Sequence, residues 1–271
     1  MTNKEANTDY ILAEERKFLG KETGEMFVEP EEQISGYSNM KVELLSPTTD
    51  QAYIDWVNSA FYSSLCTWDR EPFRPVSEML INKPFEEKEV LLLNILKDRP
   101  ISVALEGVMF NFKCINVPRA LTHQSVRARN HAFGQESFRV SSCYSCAVRI
   151  PQSLLERQDP AAAELIGEFI ETVKKCRETY KNLILGGVSM ETARNIMPMG
   201  TCTKIGMVMR LRDVIEYFKA RTGDIAQDEH TYLICLLAEE LKIKQPKFWE
   251  IIKSKVPKIE ETMQKYLSNK L

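Results

Sequence analysis

The 271 residues carry 36 basic and 38 acidic side chains, a net charge of −2, with 44% hydrophobic residues; that is enough for a large buried core, and too little positive charge for nucleic-acid binding by bulk electrostatics. No run approaches the roughly 18 uninterrupted apolar residues of a membrane span, and the start, Met1-Thr2-Asn3-Lys4-Glu5, has no basic region leading into an apolar one, so a cytoplasmic protein without a membrane partner is expected. Seven cysteines without framework spacing read as reduced thiols, and the single CxxC, Cys143-Tyr144-Ser145-Cys146, has no second pair and only three histidines beside it, so no metal is expected.

Residues 1–39 mix acids, lysine, glycine and isolated apolars without a sustained period, and are expected to form a loosely held extension. Residues 40–271 read as one α/β domain. Met40 to Leu45 alternates and meets Pro47, which predicts a strand and a turn; a helix from about Thr49 to Ser63 follows, with Tyr53, Ile54, Val57, Ala60 and Phe61 on one face. Phe85 to Asp98 reads as a buried helix ending before Pro100. A period of two then sets Val108, Phe110, Phe112 and Cys114 against Met109, Asn111 and Lys113, a half-buried strand closed by Pro118. From Pro118 the segment Ala120 to Arg127 continues as a helix without a breaker. Asp159-Pro160 predicts an N-cap and first-turn proline for a long amphipathic helix running through Leu165, Ile166, Phe169, Ile170, Val173 and Cys176 to a stop at Gly186-Gly187. A short helix from Ser189 to Met197 ends at Pro198; two more are expected from Leu211 to Ala220 and from Asp224 to Leu241, the second opening with Asp224 and Gln227 as a capping box. Trp56, Trp68, Trp249 and the methionines at 190, 197, 199, 207 and 209 are expected in the core or at interfaces, and His131 and His230 in structural positions.

The chemistry concentrates in one segment. Arg127-Ala128-Arg129, a loop containing Gly134, then Ser137 and Arg139 two residues apart place guanidinium groups and a hydroxyl around a stretch that can approach a ligand closely. Guanidinium forks and hydroxyls bind phosphate oxygens, and positive charge gathered in a near-neutral protein suits a compact dianion.

This segment resembles the signature of the flavin-dependent thymidylate synthases, the ThyX family. Gln124, Arg127, Arg129, Ser137 and Arg139 fall on matching places; Ala104 to Phe112 is similar to the family's strand entry, Glu191 to Pro198 to its E-x-A-R-x-x-L-P helix, and Arg221 to Glu229 to its L-R-x-x-x-x-A-Q-x-E element. The likeness covers about residues 40–250. It implies an α/β (α+β) fold with a central, mostly antiparallel sheet flanked by helices and a helical C-terminal part, assembled as a homotetramer. It further implies that Gln124, Gln135, Ser137, Arg139 and Arg194 bind a pyrimidine nucleoside monophosphate, with Arg221 reaching the ring as the catalytic group. Arg127, Arg129, Asn130 and Arg212 would face FAD, with methylenetetrahydrofolate and NADPH as co-substrates. The implied reaction places a one-carbon group on carbon 5, making dTMP from dUMP or a related product such as a hydroxymethyl nucleotide. An arginine beside the ring would stabilise the charge that develops there.

The sequence departs from the pattern mostly on the flavin side. Ala128 and Gly107 stand where the family has histidines, Arg210 where it usually has Asn, Gln135 where it has Glu, Val140 where it has Tyr and His123 where it has Arg. Missing imidazoles remove flavin contacts, which motivates an alternative: a nucleotide-binding accessory or regulatory subunit without the redox step. His123, four residues before Arg127, reads either as a ligand contact or as a satisfied core histidine.

Overall fold

The computed structural model describes residues 34–35, 39–65, 82–98, 103–223 and 227–268. Most of the expected N-terminal extension, Trp68, and Asp224 of the expected capping box lie outside the described residues.

In chain order, β1 (Ile34–Ser35) and β2 (Lys41–Ser46) precede α1 (Gln51–Leu65) and α2 (Phe85–Asp98). A 3₁₀ turn, Val103–Glu106, leads into β3 (Met109–Pro118), followed by α3 (Arg119–Ser125), β4 (Ala132–Gln135), β5 (Val148–Arg149) and the single turn α4 (Gln152–Leu155). The long α5 (Ala162–Leu185) is followed by α6 (Met190–Ala193), a 3₁₀ turn Arg194–Ile196, and β6 (Cys202–Arg210). Four helices close the chain: α7 (Leu211–Arg221), α8 (Asp228–Lys244), α9 (Pro246–Lys255) and α10 (Ile259–Leu267). The strands β2, β3, β6 and β4 form an antiparallel sheet in that order. This is the expected α/β class with its helical C-terminal part.

The chain divides into two compact units. The first comprises Met1–Met40, Ile115–Gln124 and Gln135–Ile205; the second comprises Lys41–Cys114, Ser125–Gly134 and Gly206–Leu271. In the second, the alternation of β3 buries Phe110, Phe112 and Cys114 and leaves Met109 exposed. Phe110 meets Phe248 edge-on at 5.3 Å, and Tyr53 and Trp56 complete an aromatic cluster around Phe248. The Trp56 indole donates to the Ala104 carbonyl (2.8 Å), so its one polar atom is satisfied. Helix α8 is apolar on most sides, Tyr232 to Ala238 all being buried, and it packs against β2, α9 and α10.

In the first unit β1 pairs in parallel with β5. Its core joins Phe138, Cys143, Tyr144, Tyr180 and Ala193, with Leu183, Ile184, Val188 and Met197 packed around them.

Four local expectations are corrected. Helix α2 is not buried but amphipathic: only Leu92 and Leu96 face the core, and Val90 is 57% exposed. Helix α3 ends at Ser125 rather than Arg127, because the Ala128 N–H turns back onto the Ser125 carbonyl (3.0 Å). The N-cap of α5 is Ala161; Asp159 lies two residues earlier, bound to the Ala161 N–H (3.1 Å) and to Arg157. Helix α8 starts at Asp228 rather than Asp224, with Gln227 as an N-cap that makes no side-chain bond. Trp249, Met207 and Met209 are buried as expected, whereas Met199 is 51% exposed.

Candidate functional site

The first unit gathers five of the residues expected to hold a nucleotide. Ser137 organises a tight turn: its carbonyl accepts the N–H groups of Val140 (3.2 Å) and Ser141 (3.0 Å), and its hydroxyl oxygen accepts the Arg139 N–H (3.3 Å). The hydroxyl proton is thereby left to donate outward. Arg139, exposed, forms a bidentate pair with Glu191 (3.0 and 3.1 Å), and Arg194, half-buried, donates Nε to the Glu191 carbonyl (3.2 Å). Glu191 thus meets both arginines, one through its side chain and one through its backbone. The N-cap Ser189, which accepts from the Thr192 N–H (3.4 Å), starts the short helix that positions them. Gln135 donates its amide to the Thr122 hydroxyl (3.0 Å); Gln124, half-buried, makes no side-chain hydrogen bond among the described residues. His123 is exposed, which removes the core reading of that residue.

Glu136 and Arg119 complete this region; Glu136 was given no role in the sequence, whereas Arg119 is the first of five arginines clustered in one short segment with Arg127, Arg129, Arg139 and Arg149. The Glu136 carboxylate accepts from the Ser141 hydroxyl (2.8 Å), and its N–H donates to Lys204 (3.0 Å). The Arg119 guanidinium carbon lies 4.2 Å over the Phe138 ring while Nη2 donates to the Glu136 carbonyl (3.1 Å). Arg119 also stands directly after Pro118, where a strand hands over to a helix.

The second unit holds the remaining candidates. Arg127, Arg129 and Asn130 lie exposed in the turn after α3 and form no side-chain hydrogen bond or ion pair among the described residues. Arg212 donates to Glu106 (2.8 Å); Arg210 also pairs with Glu106 and grips the buried Asp213 carboxylate with Nε (2.8 Å) and Nη2 (3.2 Å). Asp213 in turn accepts the Arg210 N–H (3.2 Å) at the start of α7. Arg210, which replaces the family's usual Asn, is therefore tied into the helix start.

The same unit also holds an interior polar set. The Tyr217 hydroxyl donates to Ser125 Oγ (3.1 Å) and lies 2.5 Å from His230 Nε2, and His131 stands edge-on to the Tyr217 ring at 4.9 Å. Burial, then the Arg221 charge, pushes the His230 pKa down to about 3. Burial likewise holds His131 below the ordinary histidine range, against the opposing pull of Asp213. His230 is buried and His131 half-buried. Arg221 ends α7; its carbonyl accepts from Thr231 (3.1 Å), and its buried Nε has no partner among the described residues. The candidates therefore separate. Gln124, Gln135, Ser137, Arg139 and Arg194 belong to the first unit, and Arg127, Arg129, Asn130, Arg212 and Arg221 to the second.

A family model described as "Thymidylate synthase complementing protein" matches residues 43–247. The chain belongs to that family. It is 29% identical over 143 residues to a flavin-dependent thymidylate synthase of Synechocystis sp., covering 48% of this chain and 64% of that one. It is 30% identical over 192 residues to a flavin-dependent thymidylate synthase of Pyrococcus furiosus, covering 69% and 72%. The chain thus spans just under two thirds of the length of the Synechocystis relative. Among solved structures, a UMP/dUMP methylase, PolB, from Streptomyces cacaoi bound with 5-Br dUMP superposes with a TM-score of 0.65 at 16% identity, covering 82% of this chain and 97% of that one. That likeness establishes the shared fold.

Proposed function

We propose that this protein transfers a one-carbon group to carbon 5 of a pyrimidine nucleoside monophosphate, dUMP first among them, with FAD as cofactor and methylenetetrahydrofolate and NADPH as co-substrates. The observation that supports the reading is the Ser137–Arg139–Glu191–Arg194 cluster: Arg139 and Arg194, remote in sequence and cast by the resemblance as nucleotide ligands with Ser137, are joined in one unit through Glu191. Ser137 acts there as a ligand. Its oxygen accepts a backbone N–H rather than facing a base, so the hydroxyl lacks what a nucleophile requires. The nearby thiols are equally unsuited, since burial pushes Cys143 up to about 11 and Cys146 up to about 12.

The flavin-side residues fit the group in charge. Arg127 and Arg129, exposed and without a carboxylate partner among the described residues, suit a diphosphate. At position 107 a side chain has room, because a Cβ there would meet Trp56 Cδ1 at 3.5 Å, an ordinary contact. When bound, the flavin supplies reducing equivalents and relays the one-carbon unit. The chain's own part is to hold the phosphate through Ser137 and Arg194.

Mass spectrometry of nucleotides recovered after incubation with FAD, NADPH, methylenetetrahydrofolate and each pyrimidine monophosphate tests the reading. A product heavier by one carbon unit, absent when FAD is omitted, is expected. Recovery of every nucleotide unchanged would favour the accessory-subunit alternative.

A further inference from the structure

Arg221 and His230 stand at two adjoining helix ends within the second unit. Arg221 is the last residue of α7, and His230 lies in the first turn of α8. The Thr231 hydroxyl donates to the Arg221 carbonyl (3.1 Å) and ties those ends together. The Arg221 charge acts on both His230 and Tyr217: it adds to burial in lowering the first, and opposes the burial that raises the second. The positive end of the α8 dipole also disfavours a charged imidazole in that turn.

The bonds around Tyr217 assign the proton of the neutral His230 ring. A phenol has one proton to give, and Tyr217 gives it to Ser125 Oγ (3.1 Å). At its 2.5 Å contact with His230 the Tyr217 oxygen must therefore accept, so Nε2 is the protonated nitrogen. Nδ1 is then a bare acceptor, and it is buried without a hydrogen-bond partner among the described residues. Arg221 Nε, which can only donate, is buried and unpartnered in the same way. These two atoms are of complementary sense and do not bond to each other directly, and buried polar groups left over like this are ordinarily joined by an ordered water.

We propose that His230 is the positioning residue of Arg221: a buried water accepts the Arg221 Nε–H and donates to His230 Nδ1, while Tyr217 and Ser125 hold the imidazole in the tautomer this needs. Anchoring through Nε gives the two terminal nitrogens of the guanidinium a fixed direction as a fork. The consequence for substrate rests on the nucleotide-binding reading above, in which the resemblance brings Arg221 to the pyrimidine ring. Two substitutions separate the ring nitrogens, because an Asn amide reaches as far as Nδ1 and a Gln amide as far as Nε2. The test titrates dUMP calorimetrically into the full-length protein, wild type, H230N and H230Q. H230Q keeps the Tyr217 partner but loses the acceptor facing Arg221, and is expected to weaken dUMP binding by about 3- to 10-fold. H230N keeps that acceptor and is expected near wild type; a histidine that only fills the core would give equal losses in both variants, or a larger one in H230N. In parallel, 15N NMR of the wild-type protein should show the His230 proton on Nε2 and an Arg221 Nε–H protected from solvent exchange. A proton on Nδ1, a rapidly exchanging Nε–H, or a dUMP affinity in H230Q equal to wild type or to H230N would overturn the role of His230 and leave the nucleotide reading standing. A wild-type protein that binds no pyrimidine monophosphate overturns that reading instead, and the NMR result then decides the bridge alone.

Discussion

His230 shows how one buried side chain ties stability to pH. It stays neutral in the fold because its pKa is near 3, whereas in the unfolded chain it takes up a proton below about 6.5. The unfolded state binds that proton first. The stability His230 contributes is complete above about 6.5 and falls by about 1.4 kcal/mol per pH unit as pH drops toward about 3. Urea denaturation of wild type and H230Q across that range should show a shallower decline in the variant, since Gln keeps a polar partner for Tyr217 without titrating; identical slopes would contradict the assignment. At this scale the sequence made the ligand types legible, because Ser137 and Arg139 lie close together in the chain and match a known signature. Glu191 was not legible as the partner of Arg139: the pair joins positions far apart, and only folding brings them within 3.0 Å. The contact of Arg119 with the Phe138 ring was hidden for the same reason, since it joins positions 19 residues apart.

Among the elements, repeat patterns were readable and ends were not. The alternation in β3 maps onto the buried Phe110, Phe112 and Cys114 because a pleated strand leaves no other choice. Helix starts depend on which backbone groups find partners, so Asp159 looked like a cap while Ala161 occupies that position. In α2, a run of leucines suggested full burial, yet only one i, i+4 pair meets the core. Gly200 exposes a further constraint that spacing did not reveal. A Cβ there would stand 2.8 Å from the Arg149 carbonyl oxygen and 3.3 Å from Val148 Cγ1, so the loop after the Arg194 turn can close on β5 only with glycine. G200A is expected to destabilise by about 1–3 kcal/mol. G167A, in α5 where nothing lies within 4 Å, should instead stabilise by about 0.5–1 kcal/mol. Urea midpoints of the two variants check both signs.

Over the whole molecule, the division into units assembled from alternating chain segments was out of reach of the sequence, because contiguous reading cannot show that 115–124 and 135–205 fold together while 125–134 joins the other unit. That division separates most of the nucleotide candidates from the flavin candidates. An R127A/R129A variant should therefore lose FAD affinity, read by flavin fluorescence, while keeping dUMP affinity in flavin-free protein; R194A should do the reverse. Parallel losses of both ligands in either variant would contradict the separation. The most direct measurement is a crystal structure of the full-length protein with dUMP bound. The phosphate is expected within hydrogen-bonding distance of Arg194 and the Ser137 hydroxyl; a phosphate bound instead at Arg127 and Arg129, with the first-unit cluster untouched, would contradict the central claim.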